Sequence, residues 1–156
     1  MLSVLHHRIQ PFINKEKIVV AYFAEEEYGI SGYLDFMVRI LNAFIRWNEK
    51  DAEFLREQLS ILQKTPSSHQ EETIKRIVNE YINGKPLLIL AENFNDIFDA
   101  LKKEGQSKLR NWLQQNERIS IIATSQALSG DIGKEDKPFY GFFDEINLKP
   151  LSLEES

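Results

Sequence analysis

Apolar and polar positions along this chain form two alternating signals. Short, nearly continuous apolar runs mark strands buried on both faces, as in parallel sheets. Stretches with apolar residues three and four apart mark amphipathic helices. The runs are Ile18 to Ala24, Leu87 to Asn93 and Ile119 to Gln126, and the last two end in polar residues. Helical spacing first appears in Leu2, Leu5, Ile9 and Phe12, where Pro11 is expected to limit the helix. The clearest helical stripe is Tyr33, Met37, Ile40, Leu41, Phe44 and Trp47, with Ser31 as the expected N-cap and Asp35 in the first turn. The next stretch carries Phe54, Leu55, Leu59 and Leu62 and breaks at Thr65 to Ser68. Ser68 and Glu71 fit a capping box for a helix with Ile74, Ile77, Val78, Tyr81 and Ile82 on one face. Gly84 suits the left-handed position after that helix.

Between the last two runs the spacing predicts two helices. One covers Asn95 to Lys103 and ends near Gly105; the other runs from Ser107 to about Gln115 and buries Leu109, Trp112 and Leu113. A polar loop from Gly130 to Lys137 precedes an aromatic cluster, Phe139 to Phe143. Ile146 to Lys149 reads as a last short strand before Pro150. Strands separated by helices predict an α/β domain with a parallel sheet.

Composition narrows the class. A length of 156 residues suits one domain, and 42% hydrophobic with 28% charged residues suits a packed globular chain. The net charge of -5 argues against this segment gripping a nucleic-acid backbone, which calls for a basic face. The absence of cysteine excludes disulfides, thiolate zinc sites and a cysteine nucleophile. No apolar run approaches the ~18 residues that span a bilayer. Met1 to Arg8 has no secretory pattern, so the cytoplasm is the expected location.

The polar ends of the apolar runs hold the candidate chemistry. Open parallel sheets present functional groups just past the carboxyl ends of their strands. Glu92 occupies such a position, as a metal-associated carboxylate or as a favourable charge for the next helix. Asn93 is a turn residue, or stands where a catalytic base would; an amide positions water without accepting its proton. Thr124, Ser125 and Gln126 can hydrogen-bond a phosphate oxygen or cap the segment after the strand. Glu25, Glu26 and Glu27 are a cation-binding cluster or, more simply, a solvated loop. His6 and His7 are neighbours on a helix, point about 100° apart, and do not chelate one ion together. Arg110 reads first as a surface arginine, and second as a reach toward an acidic partner or a neighbouring subunit's nucleotide.

Taken in order, these segments resemble the AAA+/STAND class of P-loop ATPases, within the ASCE division and near the origin-recognition-like members. Leu87 to Asn93 resembles Walker B, and Ile119 to Gln126 resembles the sensor 1 strand. Glu26-Glu27-Tyr28-Gly29, Glu92-Asn93-Phe94-Asn95, Pro138 to Phe143 and Leu148 to Ser152 resemble further segments of that group. The resemblance covers nearly the whole chain. It implies a three-layer α/β fold, a parallel sheet with flanking helices, P-loop NTPase-like but incomplete. The phosphate loop, G-x-x-x-x-G-K-[ST], occurs nowhere in the sequence.

Residues 1–156 are thus expected to form a partial ATPase core. Leu2 to Ile9 resembles the helix that comes directly after the phosphate loop. A fragment cut at both ends is the expectation, and a naturally reduced domain the alternative. The strand resembling sensor 1 is expected to have an unpaired edge. The resemblance implies ATP and Mg²⁺ as cofactors of the complete protein, without tight binding by this chain. Glu92 would be the metal ligand, and Glu92, Asn93 and Thr124 the catalytic positions. Thr124 and Ser125 would sense the γ-phosphate. The implied function is a nucleotide-controlled switch. The alternative is a non-catalytic interaction module, with the sheet edge and the aromatic run as its partner surface, by self-association or with another protein, although the aromatics read first as core. Nucleic-acid contact would be left to other domains, and no membrane contact is expected.

Overall fold

The computed structural model describes residues 1–15, 17–24, 29–126, 135, 138–139 and 141–149. Glu25 to Glu27, Gly130 to Lys134 and Leu151 onward lie outside the described residues, as do the expectations placed on them. Three parallel strands form the sheet: β1 (Val19–Phe23), β2 (Leu87–Ala91) and β3 (Ile119–Ala123), in the order β1-β2-β3. Val19 pairs with Leu87 and Leu87 with Ile119, so the strands start level and end level. The helices are α1 (Leu2–Asn14), α2 (Tyr33–Trp47), α3 (Ala52–Lys64), α4 (Ser67–Ile82) and α5 (Phe94–Gln115).

Alternation along the strands divides the core in two. Val20, Tyr22, Leu88 and Leu90 face α1, packing with Leu2, Leu5, Ile9 and Ile13. Ala21, Phe23, Leu87, Ile89 and Ala91 face the other way, into the larger core built with α2 to α5. Helices therefore cover both faces of β1 and β2, which explains why their sequences lack polar alternation. The expected α/β class with a parallel sheet and flanking helices is observed.

Several local expectations change once packing is included. Pro11 does not end α1, which continues to Asn14. The carbonyl that loses its partner belongs to His7, which is exposed, so water can replace the missing N–H. Gly32, rather than Ser31, is the N-cap of α2; the Asp35 carboxylate instead accepts from the Ser31 backbone N–H at 2.9 Å. The Ser68–Glu71 box does not form, because α4 starts at Ser67 and Glu71 pairs with Lys108 at 2.8 Å. The left-handed end of α4 does form, with Asn83 at φ 50° and Gly84 at φ 76°.

The two helices expected after β2 are one element broken at Lys102 (φ 55°, ψ 175°) rather than ended at Gly105. Gly105 is a packing glycine. A Cβ there would lie 3.2 Å from the Leu101 Cβ and 3.4 Å from the Tyr33 backbone nitrogen. Just beyond the break, buried Gln106 donates from Nε2 to the Phe98 carbonyl at 2.9 Å.

Of the aromatic run, the described phenylalanines pack into the core, and Tyr140 lies outside the described residues. Phe139 is fully buried against Phe98, and Phe142 and Phe143 pack beside it. Arg110 donates to the Pro138 carbonyl and lies 5.7 Å over the Phe142 ring, so it holds this segment in place. The short strand expected at Ile146 to Lys149 does not form; Ile146 is 86% and Leu148 68% exposed. Among the described residues the sheet stops at β3, and this segment does not pair with that strand's outer edge.

Candidate functional site

The carboxyl ends of the three strands bring together Tyr22, Glu92, Asn93, Thr124 and Ser125. The parallel ladder continues one step past β2 and β3, with the Thr124 N–H donating to the Ala91 carbonyl at 3.0 Å. The chain then folds over: Phe94 N–H donates to the Thr124 carbonyl at 2.9 Å, and Asn93 N–H to Thr124 Oγ1 at 3.4 Å. Thr124 thus clamps the turn leading from β2 into α5.

Asn93 has a backbone reason for its identity. Its φ of 50° and ψ of 48° are left-handed, a region that asparagine enters more readily than most residues. Glu92 is half-buried, and its Oε1 accepts from the Tyr22 hydroxyl at 3.3 Å. Ser125 Oγ donates to Asn95 Oδ1 at 3.2 Å. Thr124 and Ser125 therefore secure the turn from β2 into α5, and they lie at the strand end beside Glu92.

Tyr22 is a neighbour of the site that its sequence position does not reveal. It sits inside an apolar run, where nothing singles out its hydroxyl. The parallel register sets Tyr22 beside Leu90, two residues before Glu92. Its ring also stacks with His6 (centroids 5.0 Å apart) and Trp47 (5.7 Å). His6 is buried and takes part in this cluster, while His7 is exposed, so the two do not share an ion. Gln10 Nε2 lies 3.3 Å from His6 Nε2. Burial, and then the neighbouring His7, hold the His6 ring below the ordinary histidine range.

Trp47 Nε1 donates to the Tyr22 carbonyl at 3.3 Å. In this ladder Val20 and Tyr22 turn their backbone groups away from β2, so Trp47 protects the outer edge of β1.

Other features offer less. Among the described residues, no group of three or more histidine, aspartate or glutamate side chains is arranged to hold a metal. Glu92 is a single carboxylate. An open cleft of about 480 Å³ lies away from the strand ends, between α4 and the end of α5. Its charges pair internally, Lys75 with Glu72 at 3.8 Å and Arg76 with Glu80 at 3.1 Å. No described helix is long and apolar enough to cross a membrane. No protein-family model, curated protein or solved structure matches this chain.

Proposed function

We propose that this chain supplies two working strands of an ATP-dependent switch of the AAA+/STAND kind. One strand ends in a magnesium-associated carboxylate, Glu92, and the next in hydroxyls that sense the γ-phosphate, Thr124 and Ser125. The observation that carries this reading is the position of Glu92 and Thr124, side by side at the carboxyl ends of adjacent parallel strands. The P-loop-like character of the fold is part of the same proposal. The order of the three strands and the open outer edge of β3 support it.

The residues suit part of what the nucleotide needs. Magnesium commonly takes one or two carboxylates and completes its shell with water and phosphate oxygens. Glu92 can be that carboxylate, oriented by the Tyr22 hydroxyl. Thr124 Oγ1 accepts from Asn93 N–H, and its own O–H stays available to donate to a phosphate oxygen. Asn93 positions water but does not take its proton, which suits slow turnover and a switch rather than a motor. Bound Mg·ATP would bring the reactive phosphate and the metal charge.

The backbone cradle and lysine that hold β- and γ-phosphates are missing from the sequence. They would come from a strand pairing beside β3. Alone, this chain is expected to bind Mg·ATP weakly.

The first test is the nucleotide sequence upstream of the Met1 codon. An in-frame G-x-x-x-x-G-K-[ST] joined to Leu2 is expected. In the protein carrying it, Glu92→Ala should weaken magnesium-dependent ATP binding roughly tenfold or more. Finding no loop upstream, with Glu92→Ala leaving nucleotide binding unchanged, would overturn the proposal.

A second reading, a non-catalytic interaction module on a degenerate ATPase fold, is favoured by one observation: among the described residues no strand pairs with the outer edge of β3.

A further inference from the structure

The two edges of the sheet are treated differently. At β1 the outward carbonyl of Tyr22 is occupied by Trp47 Nε1. At β3 no strand pairs with the outer edge among the described residues. Leu87 N–H donates to the Arg118 carbonyl at 2.9 Å, and Thr124 N–H to the Ala91 carbonyl at 3.0 Å. Even-numbered residues of β3 therefore face β2, and Ile119, Ile121 and Ala123 turn their backbone groups outward. The Ile119 N–H turns back to the Asn116 carbonyl at 3.0 Å.

Edge strands usually carry a charge, a proline or a bulge that discourages pairing. The sequence of β3, Ile119-Ser120-Ile121-Ile122-Ala123, has no charge and no proline. Ser120 and Ile122 lie on the α1 side, in register with Leu88 and Leu90. Yet α1 lies over β1 and β2, and Ile122 is 42% exposed.

We infer that β3 is a self-pairing edge, and that two copies of the chain join through antiparallel β3–β3 contact about a two-fold axis at Ile121. This rests on the open edge and not on the nucleotide reading. The register is self-complementary. The Ile121 N–H and C=O meet those of the partner's Ile121. The Ala123 N–H meets the carbonyl of the partner's Ile119, the one outward group at that residue not already engaged through its N–H. Ser120 then lies opposite the partner's Ile122, on the same face, and each uncovered isoleucine gains a neighbour.

The self-complementary register selects a second copy as the occupant, and local charge does not oppose it. The charged residues nearest the strand, Glu117 and Arg118, fall opposite the partner's Ser125 and Thr124, so no like charges meet. The two three-stranded sheets become one continuous sheet. A phosphate-loop strand and a second copy would compete for this edge, so the dimer is the state of a chain without that strand.

Sedimentation of the wild-type chain across a range of concentrations reads the association directly. A reversible dimer is expected. In S120K/I122K, lysines 120 and 122 of opposing copies face each other, and like charges directly opposite destabilise strand pairs. That variant should lose dimer affinity roughly tenfold or more while keeping its circular dichroism spectrum. S120E/I122E should behave the same way. An equimolar mixture of the two should dimerise again, because the register sets each lysine against a glutamate.

Hydrogen exchange on the wild-type chain needs no variant to fold. The Ile121 and Ala123 amides should exchange more slowly as concentration rises. A wild-type monomer at the highest concentration would overturn the inference. So would charged variants that dimerise like the wild type, a folded mixture that stays monomeric, or concentration-independent exchange at Ile121 and Ala123.

Discussion

Replacing Lys102 with glycine should stabilise this protein, although glycine usually weakens a helix. Lys102 adopts φ 55° and ψ 175° within α5, a region almost exclusive to glycine. Holding a side-chain-bearing residue there costs about 1–3 kcal/mol. Glycine removes that strain but has more conformational freedom to lose on folding, about 0.5–1 kcal/mol. The exposed Lys102 side chain leaves no buried gap when removed. The net expectation is a gain of about 0–2.5 kcal/mol.

At roughly 2–4 °C per kcal/mol for a chain of this size, the midpoint should rise by up to about 10 °C. Urea unfolding monitored by circular dichroism gives the free energy, with an unchanged slope showing that the unfolded state is not altered. Lys103→Gly is the internal control. That residue is helical and exposed, so glycine there should cost about 0.5–1 kcal/mol. The two neighbouring substitutions are thus expected to have opposite signs. Equal destabilisation by both would refute the break at Lys102.

The same structure yields further expectations. Phe139→Ala should cost about 3–5 kcal/mol in denaturant unfolding, because the ring is fully buried; a cost under about 1 kcal/mol would return the aromatic run to the surface. Ile146→Asp and Leu148→Asp should each change stability by less than about 0.5 kcal/mol, since both side chains are mostly exposed. A large loss would mean that this segment packs as a core strand. His6 makes stability depend on pH. Its folded pKa lies below the ordinary value of 6.5, so the unfolded chain binds the proton more readily. Stability should be full above about pH 6.5, fall as pH drops from there through the lowered folded value, and then level off as far as His6 is concerned. His6→Phe should flatten that step in unfolding curves taken across pH, and an unchanged step would assign it to another group.

How far the sequence reaches can be judged residue by residue. Apolar runs located all three strands to within three residues. For β1 and β2 the lack of polar alternation also announced burial on both faces, because a strand covered by helices on both sides has no solvent side to mark. The same pattern in β3 did not, since Ser120, Ile122 and Ala123 are exposed. The helical stripe of α2 was equally legible, down to Asp35 in its first turn. Glu92 and Thr124 were legible as strand-end residues, since position after an apolar run is itself a local signal.

Local signals could not give the outcome of competition between distant partners. Glu71 fits a capping box in isolation, but Lys108, 37 residues away, takes its carboxylate. Gly105 looks like a helix end in isolation, but the approach of Leu101 and the Tyr33 backbone makes it a packing glycine. The four residues Ile146 to Lys149 carry a strand pattern and form no strand, because a strand exists only through a neighbour's hydrogen bonds and this segment is paired to no described strand. The Tyr22 hydroxyl reaches Glu92 only because the register sets β1 beside β2. The sequence by itself determined where the three sheet strands and the helical stripes lie and where the strands' polar ends fall, since hydrophobic period is a property of the chain. The tertiary structure alone decided which polar ends meet, which aromatics are core and which edge stays open, since those depend on contacts between residues far apart in the chain.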